Sequence, residues 1–131
     1  MTALPDREAA MVAVLKSRTA ITAKTTLIGT RLASGLCIRV TLIGGPGRAT
    51  TNTGRPVFQL ECWGAGSTGQ DEGAASALAG VVEDQVDGGI VGSFAGGQVV
   101  GSWVEGDVVH SPDVTSLRER YILTGGLVLQ P

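Results

Sequence analysis

Apolar and polar positions along the chain follow two rhythms, and each rhythm predicts an element. In REAAMVAVLKSR, after Pro5 and Asp6, the residues Ala9, Val12, Leu15 and Met11 recur at helical spacing, while Arg7 and Lys16 fall on the other side. Asp6 is a suitable N-cap, and an early Glu8 with late Lys16 and Arg18 matches the helix dipole, so a helix is predicted over 6–18. The runs KTTLIGTRL and LCIRVTLIG are β-branched and separated by Ala33, Ser34 and Gly35; they read as two antiparallel strands. In VFQLECW the alternation is strict. Phe58, Leu60 and Cys62 share one face, with Val57, Gln59, Glu61 and Trp63 on the other, as in a half-buried strand.

Helical spacing returns in QDEGAASALAGVVEDQVDGG. Ala74 or Ala75, Leu78, Val81 or Val82, and Val86 mark the core side of a helix over 70–87, which Gly88 and Gly89 end. Residues 98–109 look extended, Pro112 and Asp113 form a turn, and RYILTGGLVLQ closes the chain as a strand. In that strand Tyr121, Leu123, Leu127 and Leu129 face one way, while Arg120, Ile122, Thr124 and Val128 face the other. The stretch GGPGRATTNTGRP, residues 44–56, holds four glycines, two prolines and two arginines without apolar periodicity, and is expected to project as a long loop or flexible hairpin. The predicted fold is α+β: a mostly antiparallel mixed sheet of about four to five strands with two main helices on one face, plus long glycine-rich loops.

The chain has 131 residues, which suits a single domain over 1–131 with a core that needs no staples. Hydrophobic residues make up 43%, charged residues 17% and the net charge is −2, a balance that argues against disorder and against a strongly basic nucleic-acid-binding face. Twenty glycines against five aromatics (Phe58, Trp63, Phe94, Trp103 and Tyr121) suit an assembly part better than a closed enzyme pocket. Apolar stretches fall far short of the ~20 residues that span a bilayer. The first residues lack a basic region ahead of an apolar stretch, so a cytoplasmic product is expected. Cys37 and Cys62 sit in strand-like apolar runs and read as buried thiols, and His110 without a C-x-x-C gives no zinc signature.

One spelling invites chemistry. GAGSTG, with Gly64, Gly66 and Gly69, is a complete G-x-G-x-x-G between a strand and a helix, and Asp84 or Asp87 lies at the distance expected of a ribose-binding acid. The context is wrong for a dinucleotide site: the preceding strand alternates, and no βαβ series follows. Asp84 is also carried more than ~20 Å along the helix, at ~1.5 Å per residue, away from any phosphate site. A structural corner is the better reading. Asp71 with Glu72 and Glu83 with Asp84 are adjacent carboxylates that diverge on a helix, and His110, Ser111 and Asp113 are neighbours in a turn, not a convergent triad. GGPGRATT lacks the Lys-Ser/Thr ending of a phosphate loop. Trp63 and Trp103 suit interface anchors and core packing equally. No catalytic residue, cofactor or metal is assigned.

The order of pieces is informative: an N-terminal helix, a strand ending at Gly44-Gly45, VFQLECWG, an Ala-rich helix and SPDVTSLRERYILTGGLVL. Pro112-Asp113, a short polar spacer and Arg120-Tyr121 opening the last strand carry the most weight, with Trp63 upstream. In these pieces the chain resembles the tail terminator, or tail-completion, proteins of long-tailed bacteriophages with flexible non-contractile tails. The resemblance covers almost the whole chain, although residues 44–56 and 88–97 are unusually glycine-rich for it. It implies a mixed sheet flanked by helices and a non-enzymatic homohexameric ring, made in the host cytoplasm and placed in the virion at the head-proximal end of the tail. There the ring stops polymerisation of the major tail tube protein and presents a surface to the head-tail connector protein. Genome DNA passes through such a ring without specific binding, which a slightly acidic balance accommodates. Arg48, Thr51, Asn52 and Arg55 are the candidate docking residues of the 44–56 arm. Another head-to-tail connector (neck) subunit and a nucleotide-binding enzyme using the 64–69 motif are the alternatives.

Overall fold

The computed structural model describes residues 6–19, 23–24, 37–44, 48–50, 53–64, 71–112 and 119–131. Helix α1 spans Arg7–Thr19. Its cap is as expected, with the Asp6 carboxylate accepting from the Ala9 amide at 3.0 Å and the Asp6 carbonyl from the Ala10 amide at 3.0 Å. The buried stripe is Ala10, Met11, Val14 and Leu15, rotated from the predicted one; Ala9 and Val12 are only half-buried. Two i, i+4 pairs, Ala10 with Val14 and Met11 with Leu15, put four apolar side chains into one contiguous ridge. Helix α2 spans Asp71–Asp87 and buries Ala75, Leu78, Ala79, Val82 and Val86, while Val81 stays 45% exposed. Gly89, at φ +83°, ends it with its amide on the Val86 carbonyl.

The strands are β1 (Ala23–Lys24), β2 (Cys37–Gly44), β3 (Arg48–Thr50), β4 (Thr53–Gly54), β5 (Val57–Trp63), β6 (Gly92–Phe94), β7 (Gly97–His110) and β8 (Arg120–Gln130). Among the described residues they form one eight-stranded sheet. This overturns the expected arrangement of four or five strands with two helices packed on one face. The chain is mostly sheet, curled into an antiparallel half-barrel with two helices, and the two-layer arrangement is not shown. Two features of β7 explain the curl. It runs for 14 residues, and its register against β8 slips at Val99/Gly101 and again at Glu105/Val109. Each slip inserts extra residues on one strand only, which bends the strand and raises its twist.

Pairing is also not sequential. β5 lies between β2 and β8, antiparallel to both, and β8 lies between β5 and β7. Past the end of β5, β8 continues alongside β4 through the pair Gly54↔Leu129. β1 pairs parallel to β2, Ala23↔Ile38 and Lys24↔Arg39; of the strand predicted from KTTLIGTRL it includes only Lys24, and the rest of that strand, with its expected antiparallel pairing, lies outside the described residues. β6 has no counterpart among the predicted strands. A two-residue turn at Ala95 (φ +51°) and Gly96 (φ +81°) joins it to β7, both residues having the positive φ that suits a tight hairpin to twisted strands.

One core cluster unites α1 and α2 with the inward faces of the strands: Ile38 and Val40 of β2, Phe58, Leu60 and Cys62 of β5, Val99 of β7, and Leu123, Leu127 and Leu129 of β8. These are the alternation faces read from the sequence for β5 and β8. Ser102 ties the end of α2 to β7, its Oγ accepting from the Ile90 amide at 2.8 Å and donating to the Val86 carbonyl at 2.5 Å.

Candidate functional site

The second face of β5 is not a solvent face. Val57, Glu61 and Trp63 are buried, and only Gln59 is half-buried. The register explains how a carboxylate is tolerated there: Arg39 of β2 lies opposite Glu61 on one side, and Arg120 of β8 lies opposite Trp63 on the other. Glu61, 3% exposed, meets Arg120 Nη1 at 2.9 Å and Arg39 Nε at 3.4 Å, so each oxygen faces a guanidinium. A buried charge persists only when paired in this way.

Arg120 does more than neutralise Glu61. Its Nε donates to the Ser111 carbonyl at 2.8 Å and its Nη2 to Ser111 Oγ at 3.3 Å, while its guanidinium carbon sits 5.1 Å from the centroid of the Trp63 ring. The Ser111 amide returns a bond to the Arg120 carbonyl, and the Gly64 amide bonds the Glu119 carbonyl. Beside this clamp, Tyr121 stacks on His110 at 4.6 Å between centroids, and His110 Nε2 lies 2.5 Å from Glu119 Oε2. The structure therefore brings together Trp63, Arg120 and Tyr121 of the predicted signature around the start of β8. Pro112 follows Ser111 and is exposed; Asp113 lies outside the described residues. Glu61, Arg39 and Ser111 complete the clamp; Glu61 and Arg39 were not singled out from the sequence, and Ser111 was weighed only as a member of a rejected triad. A carboxylate on an alternating strand was the available signal, and it reads as solvated until the neighbouring strands are known.

The predicted docking arm is partly ordered into strands. Arg48 stands in β3 opposite Gly54, and Thr50 opposite Thr53, so β3 and β4 make a short hairpin. Thr51 and Asn52 lie outside the described residues; Arg55 is exposed. The hairpin is held to the body by Gly54↔Leu129, and just beyond it the buried Pro56 accepts from the Leu127 amide at 3.2 Å.

Trp103 lies across β8. A methyl group on Gly126 would come within 2.2 Å of Trp103 Cζ2, so only glycine lets the half-buried indole rest there, with its N–H bonded to Glu105 at 3.0 Å. Of the glycine fingerprint, Gly64 is buried at the end of β5, and Gly66 and Gly69 lie outside the described residues. The strand that enters it has antiparallel neighbours on both sides, and α2 leads into the β6–β7 hairpin. A dinucleotide site of the familiar type instead needs a parallel strand on the far side of its helix. Near Pro131, the β6–β7 turn borders an open depression of about 310 Å³, lined by Ser93, Phe94 and Gln98 among others.

Among the described residues no helix is long and apolar enough to cross a membrane. No family profile matches the chain, and no curated protein matches it. Solved structures do. A chain from the virion of a native gene transfer agent particle shares 18% identity at a TM-score of 0.53, covering 91% of this chain and 86% of its own. A second solved chain, also 18% identical at a TM-score of 0.53, covers 95% of this chain and 90% of its own. At that identity the likeness shows a common fold along nearly the whole chain.

Proposed function

We propose that this chain is a structural virion protein of a phage-like particle, and that it acts as a tail terminator: a homohexameric ring that caps the head-proximal end of the tail tube, stops tube growth and offers its other face to the head connector. The observation that carries the reading is the fold shared over 91% of the chain with a component of a gene transfer agent virion. The Trp63, Arg120 and Tyr121 pieces of the tail-terminator resemblance support it, because they cluster around the start of β8, where a structural clamp is built. In this reading the chain performs no chemistry and needs no cofactor. A ring of identical subunits uses head-to-tail contacts that close by rotation, leaving two different axial faces for the tube protein and the connector. DNA passes through the lumen without specific contacts.

The test is electron microscopy of particles that lack the protein. Filled heads beside tails of irregular, overgrown length are expected. Tails of normal length that fail to join heads would instead assign the chain to another neck subunit. Intact particles would remove it from the virion pathway altogether.

A further inference from the structure

Two margins of the described sheet are treated differently: the outer side of β2 beyond its short pairing with β1, and the outer side of β7 beyond β6. At the β2 edge, the Leu42 amide is capped by Glu8 Oε2 of α1 at 3.0 Å, so a side chain occupies a group that would otherwise recruit a strand. At the opposite edge, β6 covers β7 only over Gly92↔Val99, Ser93↔Gln98 and Phe94↔Gly97. From Gly101 to Glu105, β7 keeps regular register with β8 on its inner side, and among the described residues no strand pairs with its outer side. Exposed valines flank the start of this stretch, Val91 at 67% and Val100 at 42%. Its far end is acidic: Glu105 and Asp107 are exposed, on either side of Gly106, whose φ of +70° belongs to the bulge that ends the regular ladder.

A matching element exists in the same chain. β3 is the terminal strand at its end of the sheet path, and among the described residues the β3–β4 hairpin pairs with the body at Gly54↔Leu129, next to the bond from the Leu127 amide to the Pro56 carbonyl. A two-stranded ribbon attached this way is marginal by itself and gains by adding to another sheet. Arg48 and the exposed Arg55 bracket it, so the ribbon is basic where the β7 edge is acidic.

We infer that the β3–β4 hairpin of one copy adds to the open β7 edge of a second copy over residues 101–105, so that the basic ends of the ribbon, at positions 48 and 55, are set against the acidic end of that edge at positions 105 and 107. The inference rests on the ring reading and names its subunit contact. Backbone hydrogen bonds supply the attachment, as in other strand additions, and the opposed charges set register and partner. Because donor and acceptor are different surfaces, the contact is heterologous and repeats around a ring. The Glu8 cap explains why the strand does not add at the β2 edge.

The experiment measures the oligomeric state of the full chain by light scattering and mass photometry, with folding checked by circular dichroism. Asp107→Lys with Glu105→Lys is expected to weaken assembly at least about tenfold, as is Arg48→Glu with Arg55→Glu, and combining all four is expected to restore it. Asp107→Lys alone guards against the loss of the Trp103 bond to Glu105. Hydrogen exchange is expected to slow at amides within 101–105 on assembly. Oligomers indifferent to either reversal, no restoration in the fourfold variant, exchange at 101–105 unaltered by assembly, or a wild-type chain monomeric at its highest soluble concentration would each overturn the contact. Failure of the tail reading looks different: a charge-swap-dependent ring in a particle whose tails are normal without it.

Discussion

Replacing Arg120 by alanine removes four interactions at one point: the 2.9 Å pair with Glu61, the bonds to the carbonyl and hydroxyl of Ser111, and the guanidinium stacked near Trp63. Most of the loss comes from the charge left behind, because Glu61 is 3% exposed and cannot recover its water. Stranding a buried charge costs about 3–5 kcal/mol. Arg120 is itself 21% exposed, and Arg39 still approaches the other carboxylate oxygen at 3.4 Å, so the lower end, about 3 kcal/mol, is expected. Arg39→Ala provides the control. That side chain is 34% exposed and makes the longer contact, so its loss is expected to cost about 1 kcal/mol or less.

Urea unfolding followed by far-ultraviolet circular dichroism at fixed protein concentration measures both. With a slope of about 2 kcal/mol/M, Arg120→Ala lowers the midpoint by about 1.5 M. Adding Glu61→Gln to Arg120→Ala is expected to recover at least about 1 kcal/mol, since a neutral amide is cheaper to strand than a carboxylate. A loss below about 1 kcal/mol, or one no larger than that of Arg39→Ala, would refute the assignment of Arg120 as the main partner of a buried charge.

Gly126→Ala is expected to cost about 1–3 kcal/mol and to alter tryptophan fluorescence, because the new methyl must displace the Trp103 indole that lies 2.2 Å from its position; an unchanged spectrum and midpoint would mean that the ring is not seated there. Ser102→Ala leaves the Ile90 amide without its 2.8 Å acceptor and is expected to cost about 1–3 kcal/mol, with faster hydrogen exchange at the end of α2 as the specific sign. Glu8→Ala uncaps the Leu42 amide at 3.0 Å, and turbidity on heating is expected to begin earlier than in the wild type as the β2 edge becomes available for pairing.

Local order was legible wherever it follows from neighbouring residues. Asp6 marked the cap of α1, Gly88 and Gly89 the end of α2, and period-two alternation the core faces of β5 and β8. These depend on interactions within one turn or one strand, which the residues specify without knowing their neighbours. The same reasoning missed the exact stripe of α1, since Ala9 and Val12 compete with Ala10 and Val14 for the buried side, and packing alone chooses between them.

What the tertiary structure decided is every property that depends on which strands meet. The last strand lies between β5 and β7, a placement that no local pattern encodes, and only that placement brings Arg120 to Glu61 and makes a solvent-like carboxylate part of a buried clamp. The slips in β7 curl the sheet into a half-barrel in place of the expected layer under two helices, because extra residues on one strand have meaning only against the register of the other. The sequence by itself determined the helices, the alternating faces and the family resemblance. Pairing partners, curvature and the contrast between a capped β2 edge and an open β7 edge came from contacts between segments far apart in the chain, where long-range register, and not local preference, sets the free energy.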